Sequence, residues 1–386
     1  MKKILLLTRN LPPLVGGMER LVWHMVDELG KGFKVCVIGP PGCKKFLPDE
    51  IETMEVSIEP LSLFLANLSI SAIKAAIFQK PDVVLAGSGL TAPSAFIAAK
   101  AASAKSVVYL HGLDVEVKNK LYRALWYPVF RKCHLILVNS HFTKKLALNA
   151  GVSEECIKIL HPGVSLPDIS QAQERAKKFR KRYGLGDAPV MLYVGRITPR
   201  KGLRIFIEKM LPRILSKVPD AKLVVIGDEP KEALLQNRGE KQLIENFLNR
   251  NGYSKTVFFL GKRSQDDPEI SDAYFTANVL VFPVQERPGD NEGFGMVAVE
   301  AAAHGTPTVA FNAGGVADAI KNMESGILVP PGEMNIFIEK VINYLESVQR
   351  SARNGKDPVE FASKFHWKKF GRNLRELCNE VIDATV

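Results

Sequence analysis

Residues 3–39 read KILLLTRNLPPLVGGMERLVWHMVDELGKGFKVCVIG, and the order of their parts decides the fold. An apolar run too short for a helix comes first, then a loop with Pro12, Pro13, Gly16 and Gly17. MERLVWHMVDEL follows with apolar residues at helical spacing, and a second short apolar run, FKVCVIG, closes the stretch. Strand, helix, strand in this order is a βαβ unit, which builds a parallel sheet. The same alternation continues through PDVVLAG, SVVYLHG and LILVNS.

It pauses at residues 157–175, where a strand gives way to Pro162, Gly163 and Pro167 before a basic helix over 172–183. It resumes with PVMLYVGR, KGLRIFIEKMLPRIL, AKLVVIGD, TVFFLGK, ANVLVFPV and TPTVAF. At 386 residues the chain exceeds what one core usually holds. The expected fold is therefore α/β, with two doubly wound, Rossmann-like domains facing each other across a cleft that gathers the carboxyl ends of both sheets. The expected domains are 1–165 and 166–365, with a C-terminal helix over 366–386 packing back on the first.

The chain carries 52 basic and 41 acidic residues, a net charge of +11 spread over both halves. A diffuse surplus suits anionic partners such as nucleotides or acidic lipid surfaces, whereas a nucleic-acid binder would cluster its charge beside stacking aromatics. The five cysteines, Cys36, Cys43, Cys133, Cys156 and Cys378, form no CxxC pair, which points to a reducing cytoplasm rather than a disulfide framework or zinc site. The start MKKILLL resembles a signal peptide, but its apolar part is too short. Residues 61–78, LSLFLANLSISAIKAAIF, are interrupted by Ser, Asn and Lys74, so no transmembrane helix is expected.

Three stretches carry chemistry. Gly16 and Gly17 separate the first strand from a helix beginning near Met18, whose amides could hold a phosphate; a tight turn is an equal reading. In VGRITPRKGL, Arg196 follows a strand and Lys201 precedes a helix, a pair suited to a diphosphate, although Arg200 and Arg204 also fit a solvated basic loop. In ERPGDNEGFGMVAVEAAAHG, Glu292 lies in a loop and Glu300 within the helix that Gly305 ends. Two carboxylates, which accept bonds from vicinal diols, beside two cations match a sugar, diphosphate and ribose.

This set, Arg196 and Lys201 as R-x(4)-K, Glu292 and Glu300 as E-x(7)-E, the glycine pair and HPGV at 161–164, resembles the retaining glycosyltransferases of family four, the group 1 enzymes of GT-B fold. The resemblance spans nearly the whole chain and extends to bacterial mannosyltransferases acting on lipid or glycan acceptors. It implies that Arg196 and Lys201 clamp the donor diphosphate and that Glu300 holds the ribose. Glu292 would contact the transferred sugar, with Gly293, Phe294 and Gly295 supplying backbone contacts. Gly16 and Gly17 would lie near the distal phosphate and the acceptor, and His111, in SVVYLHGLD, would stand at the reacting sugar. A lone histidine at a strand end is otherwise more often a satisfied structural residue.

No DxD motif occurs in the sequence, and the basic pair can replace a metal, so metal independence is expected. The resemblance implies a retaining hexosyltransferase without a cofactor beyond its nucleotide-sugar co-substrate. The resemblance further implies front-face displacement, since it offers no enzymic nucleophile for retention. The ERPGDNEGFG loop is similar to that of mannosyltransferases acting on lipid acceptors, a resemblance that leans the donor toward GDP-mannose over a UDP-sugar. The acceptor it implies is a glycan or lipid-linked acceptor in cell-envelope polysaccharide, lipopolysaccharide or glycolipid synthesis. A GT-B epimerase acting on a UDP-sugar is the alternative. Residues 118–134, KNKLYRALWYPVFRKCH, could rest on the acidic inner face of the cell membrane, though an amphipathic core helix with a solvated basic face is the plainer reading.

Overall fold

Parallel strands covered by helices on both faces read as unbroken apolar runs, and β1 (Lys3–Leu7) is such a run, with Ile4, Leu5, Leu6 and Leu7 all buried. The computed structural model describes residues 1–230, 239–264, 267–347 and 356–384. Its contacts divide the chain into two units: residues 1–163, 288–294 and 367–386 form the first, and residues 164–287 and 295–366 the second.

The first unit is built on β1, β2 (Lys34–Gly39), β3 (Glu52–Glu55), β4 (Val83–Ala86), β5 (Lys105–Leu110), β6 (Leu135–Val138) and β7 (Ile157–Ile159), paired in the order β3-β2-β1-β4-β5-β6-β7 and parallel throughout. The strand order reverses between β1 and β4. One face is covered by the helices Leu61–Gln79, Ala92–Ala101 and Lys120–Phe130, which send Phe64, Ala95 and Phe130 into a single core with Val84, Val108 and Ile136. The helix Leu61–Gln79 meets the length and composition needed to cross a membrane, despite the interrupting Ser, Asn and Lys74. In the structure it is part of this helical layer, with Phe64, Leu68, Ala72 and Ala76 buried against the sheet.

The helix Trp367–Asp383 belongs to the same unit and packs beside the helix Gly17–Gly30. The Trp367 ring stacks on His24 at 3.8 Å, and Arg375 Nη1 donates to both the carboxylate (2.7 Å) and the backbone carbonyl (2.6 Å) of Glu28. Lys31 Nζ also reaches the Glu28 carboxylate at 2.6 Å, so the buried Glu28 charge is shared by two cations. All five cysteines are free thiols. Burial pushes Cys36 and Cys43 up to about 11 and Cys133 and Cys378 up to about 12, which keeps them protonated.

The second unit holds β8 (Val190–Val194), β9 (Lys222–Ile226), β10 (Val257–Gly261), β11 (Val279–Phe282), β12 (Thr308–Phe311) and β13 (Gly326–Val329), again all parallel, in the order β10-β9-β8-β11-β12-β13. Its order reverses between β8 and β11. The helical run expected after PVMLYVGR begins at Leu203 but widens to a π-turn over Phe206–Met210 before closing as Leu211–Leu215. Pro212 supplies the reason, because its ring crowds the carbonyl four residues back and its nitrogen has no proton to donate.

Arg375→Ala leaves Glu28 buried with Lys31 alone. The expected loss is about 2 kcal/mol of stability, read as a fall of a few degrees in the thermal midpoint. An unchanged midpoint would show that this pair does not hold the terminal helix.

Candidate active site

In open parallel sheets, ligands bind beyond the carboxyl ends of the strands, where the strand order reverses. Gly16 and Gly17 follow β1, His111 follows β5, Arg196 and Lys201 follow β8, and Glu292, Gly293, Phe294, Gly295 and Glu300 follow β11. They fall into two groups: Gly16, Gly17, His111, Glu292, Gly293 and Phe294 belong to the first unit, and Arg196, Lys201, Gly295 and Glu300 to the second.

In the first unit the helix after β1 starts at Gly17, one residue earlier than the sequence suggested, with Gly16 in the extended region before it. His111 directly follows β5 and is buried. Its Nε2 lies 2.8 Å from the Gly87 carbonyl just beyond β4, so in the neutral ring Nε2 carries the proton and Nδ1 is left as the acceptor. Its backbone N–H donates to Asp114 Oδ2 at 2.8 Å, and its carbonyl accepts from Asn139 Nδ2 at 3.0 Å.

The backbone of Gly293 presses against this histidine. A Cβ at position 293 would sit 2.1 Å from the His111 carbonyl oxygen and 2.8 Å from Asn139 Nδ2, so only glycine allows the approach. Phe294 is buried and stacks on His161 of the HPGV motif, ring centroids 5.4 Å apart, while His161 Nδ1 lies 2.9 Å from the Asn139 carbonyl. Glu292, partly buried, is thus held one residue from the strand end that carries His111.

Glu116 anchors this loop from the other side and was not visible in the sequence. Its carboxylate accepts from the N–H groups of Gly289 (3.2 Å) and Asn291 (2.9 Å) and from Asn291 Nδ2. More than 170 residues separate the partners, and no spacing rule connects a glutamate in the turn Leu113–Glu116 to a loop so far along the chain.

In the second unit, Arg196 is exposed just beyond β8 and Lys201 is buried at the end of the turn Pro199–Lys201. The Lys201 ammonium stands 5.0 Å from the centroid of Phe282, the last residue of β11. This is a cation–π contact at the reversal of strand order. The two loops are joined there: Gln285 N–H donates to the Arg200 carbonyl at 2.8 Å. Gly202, at φ +73°, brings its Cα so close that a Cβ would lie 1.9 Å from the Pro283 carbonyl oxygen. Arg200 is buried like Lys201, whereas Arg196 is exposed and Arg204 is half-buried.

An edge of the Phe282 ring faces Gly295, which precedes the helix Met296–Ala303. Glu300 lies within that helix, and Tyr274, buried and 26 residues away, donates its hydroxyl to Glu300 Oε2 at 3.0 Å. His304 Nδ1 lies 2.7 Å from the Glu300 carbonyl and must be the protonated nitrogen; Nε2 is 2.8 Å from Ser271 Oγ. Burial is the main cause that lowers His304 to about 4, so at neutral pH it is an uncharged ring stacked on Tyr274. Tyr274 belongs to no motif and orients the Glu300 carboxylate from outside its helix, whereas His304 caps that helix at the Glu300 carbonyl.

The chemistry available in the second unit is therefore a buried ammonium, an exposed guanidinium, a helix start and an oriented carboxylate, all beside one reversal point. The first unit adds a histidine with an assigned tautomer and a glutamate on an anchored loop.

Residues 15–167 match the sequence family described as Glycosyltransferase Family 4, and residues 188–347 match Glycosyl transferases group 1. The chain belongs to this family of glycosyltransferases. It is 25% identical over 384 residues to a GDP-mannose-dependent alpha-(1-6)-phosphatidylinositol monomannoside mannosyltransferase of Mycolicibacterium smegmatis, covering 97% of each chain. A D-inositol 3-phosphate glycosyltransferase of Streptomyces bingchenggensis is 31% identical over 58% of this chain and 48% of its own length. Among solved structures, Anabaena Alr3699/HepE in complex with UDP and glucose superposes with a TM-score of 0.80 at 22% identity, covering 98% of this chain and all of that one, and this likeness establishes the GT-B fold.

Glu116→Ala removes the shared acceptor of the loop amides. Amide hydrogen exchange at Gly289 and Asn291 is expected to accelerate by about tenfold or more, from the typical strength of a charge-assisted bond, with exchange in β1 and β5 unchanged. Equal exchange in parent and variant would show that Glu116 does not anchor the loop.

Proposed function

We propose that the protein is a retaining, metal-independent hexosyltransferase that moves mannose from GDP-mannose to a lipid-linked or glycan acceptor of the cell envelope, working at the inner face of the membrane. The observation that carries the reading is the cluster around Phe282, with Lys201 on the ring, Gly295 at its edge and Glu300 oriented by Tyr274. The mannosyltransferase that matches this chain along 97% of both lengths supports the donor and the class of acceptor. The relatives reported above bear transferase names, which favours transfer over epimerisation.

In this reading Lys201 and Arg196 take the donor diphosphate, and Glu300 accepts the ribose hydroxyls. The bond between the anomeric carbon and the phosphate oxygen breaks, and negative charge grows on the leaving diphosphate. The two cations and the N-terminus of the helix Met296–Ala303 stabilise that charge more as it grows, which lowers the barrier. Charge compensation by fixed protein groups is the ground for proposing that no metal is needed. Glu292 binds hydroxyls of the transferred hexose, and His111 meets the same sugar, its tautomer set by Gly87. Gly16 and Gly17 border the distal phosphate and the acceptor. A leaving phosphate oxygen takes the proton of the acceptor hydroxyl while the new bond forms on the face just vacated, so the anomeric configuration is kept.

A panel of GDP-, UDP- and ADP-sugars, followed by nucleotide release and by NMR of the product anomer, tests this directly. GDP-mannose with retained configuration is expected; preference for another donor, or an inverted product, overturns the corresponding part. Lys201→Ala and Glu292→Gln should each lower turnover by about 100-fold or more while the thermal midpoint stays near the parent's. Activity should be undiminished in EDTA; a loss restored by magnesium or manganese would refute the metal-free mechanism.

A further inference from the structure

The three helices that cover one face of the first sheet, Leu61–Gln79, Ala92–Ala101 and Lys120–Phe130, contain no aspartate or glutamate. They lie side by side, with the middle helix packed against both neighbours, and their inward residues share one core. Two kinds stand out among their exposed residues. One kind is large and apolar: Ile70, Ile77 and Phe78 on the first helix, the last 85% exposed, then Ile97 on the second and Leu121 and Leu125 on the third. The other is basic, with Lys74, Lys100, Lys120 and Arg123 all exposed among them.

We infer that this surface is where the protein docks on an anionic phospholipid bilayer. An exposed apolar patch of this kind marks an interaction site, and three observations select its occupant. Buried positions on the first helix hold the sheet together through Phe64, Leu68, Ala72 and Ala76, so the helix lies on a bilayer rather than crossing it. Only 28% of its most apolar window is buried, which leaves an apolar side for the acyl boundary. The charge of the patch is of one sign. A second copy of this chain on a two-fold axis would set lysine against lysine, whereas an anionic headgroup layer is complementary to it. The basic stretch 118–134 is thus one edge of the docking face, and the neighbouring helices, which its sequence does not reveal, form the rest.

The inference rests on the lipid-linked acceptor proposed above, since an enzyme on the bilayer meets such an acceptor in two dimensions. The test is co-sedimentation of the full chain with vesicles of equal parts phosphatidylglycerol and phosphatidylcholine, against vesicles of phosphatidylcholine alone. The parent should partition to the anionic vesicles about tenfold or more in excess, from roughly 1 kcal/mol per basic residue at the surface, and the excess should fall in high salt. The pairs Lys74→Glu with Lys100→Glu, and Ile77→Ser with Phe78→Ser, should each reduce partition by about fivefold or more at an unchanged thermal midpoint. Equal partition of parent and variants, absence of parent binding, or a concentration-dependent dimer that these substitutions dissolve would each overturn the inference. Nucleotide release from the donor panel, in detergent micelles, separates the two ideas: no turnover with any donor refutes the transferase reading while vesicle binding still decides the surface.

Discussion

A parallel sheet has to hide both faces, because each connection between its strands returns as a helix laid across one of them. That constraint organises each unit here. It makes strands such as KILLL and VMLYV apolar throughout and sends polar side chains to the loops. Those loops gather at the carboxyl ends of the strands, where the order reverses between β1 and β4 and between β8 and β11. Chemistry collects there because backbone amides and helix starts are exposed at those two places, whatever the sheet is used for.

Within that frame the loops are positioned by backbone approach more than by side-chain bonds. Gly202 and Gly293 each let a carbonyl oxygen stand where any other residue would place a Cβ, at 1.9 and 2.1 Å. The first brings Lys201 over Phe282, and the second sets the loop of Glu292 on the strand end of His111. The E-x(7)-E motif that looked like one feature is divided: Glu292 lies in a segment counted with the first unit, Glu300 in the second. Each is oriented by partners of its own, Glu116 through the loop amides and Tyr274 through its hydroxyl.

How far this could be read from the sequence follows from which forces are local. Eleven of the strands announce themselves as apolar runs, but β3 and β13 do not. β3, ETME, is a largely exposed edge strand of mostly polar residues, and GILV of β13 is four residues without flanking pattern. The candidate site residues could be named from the sequence because the motifs that carry the family resemblance are set by residue type and spacing along one segment. Glu116 and Tyr274 could not, since each acts on a residue reached only after folding. The helix Leu61–Gln79 shows the same limit in another form: its composition meets the requirement for a membrane span, and only its packing reveals that one side is core and the other is open.

By itself, then, the amino-acid order determined the alternation of strands and helices, the two α/β halves, and the cations, carboxylates and glycines of the candidate site, because periodicity and motif spacing are properties of neighbouring residues. The tertiary structure alone decided which unit carries residues 288–294, which side chains orient Glu292 and Glu300, and how three acid-free helices merge into one basic, apolar face. Those outcomes depend on contacts between segments far apart in the chain, and the energy of such contacts comes from burial and hydrogen bonding that no local pattern encodes.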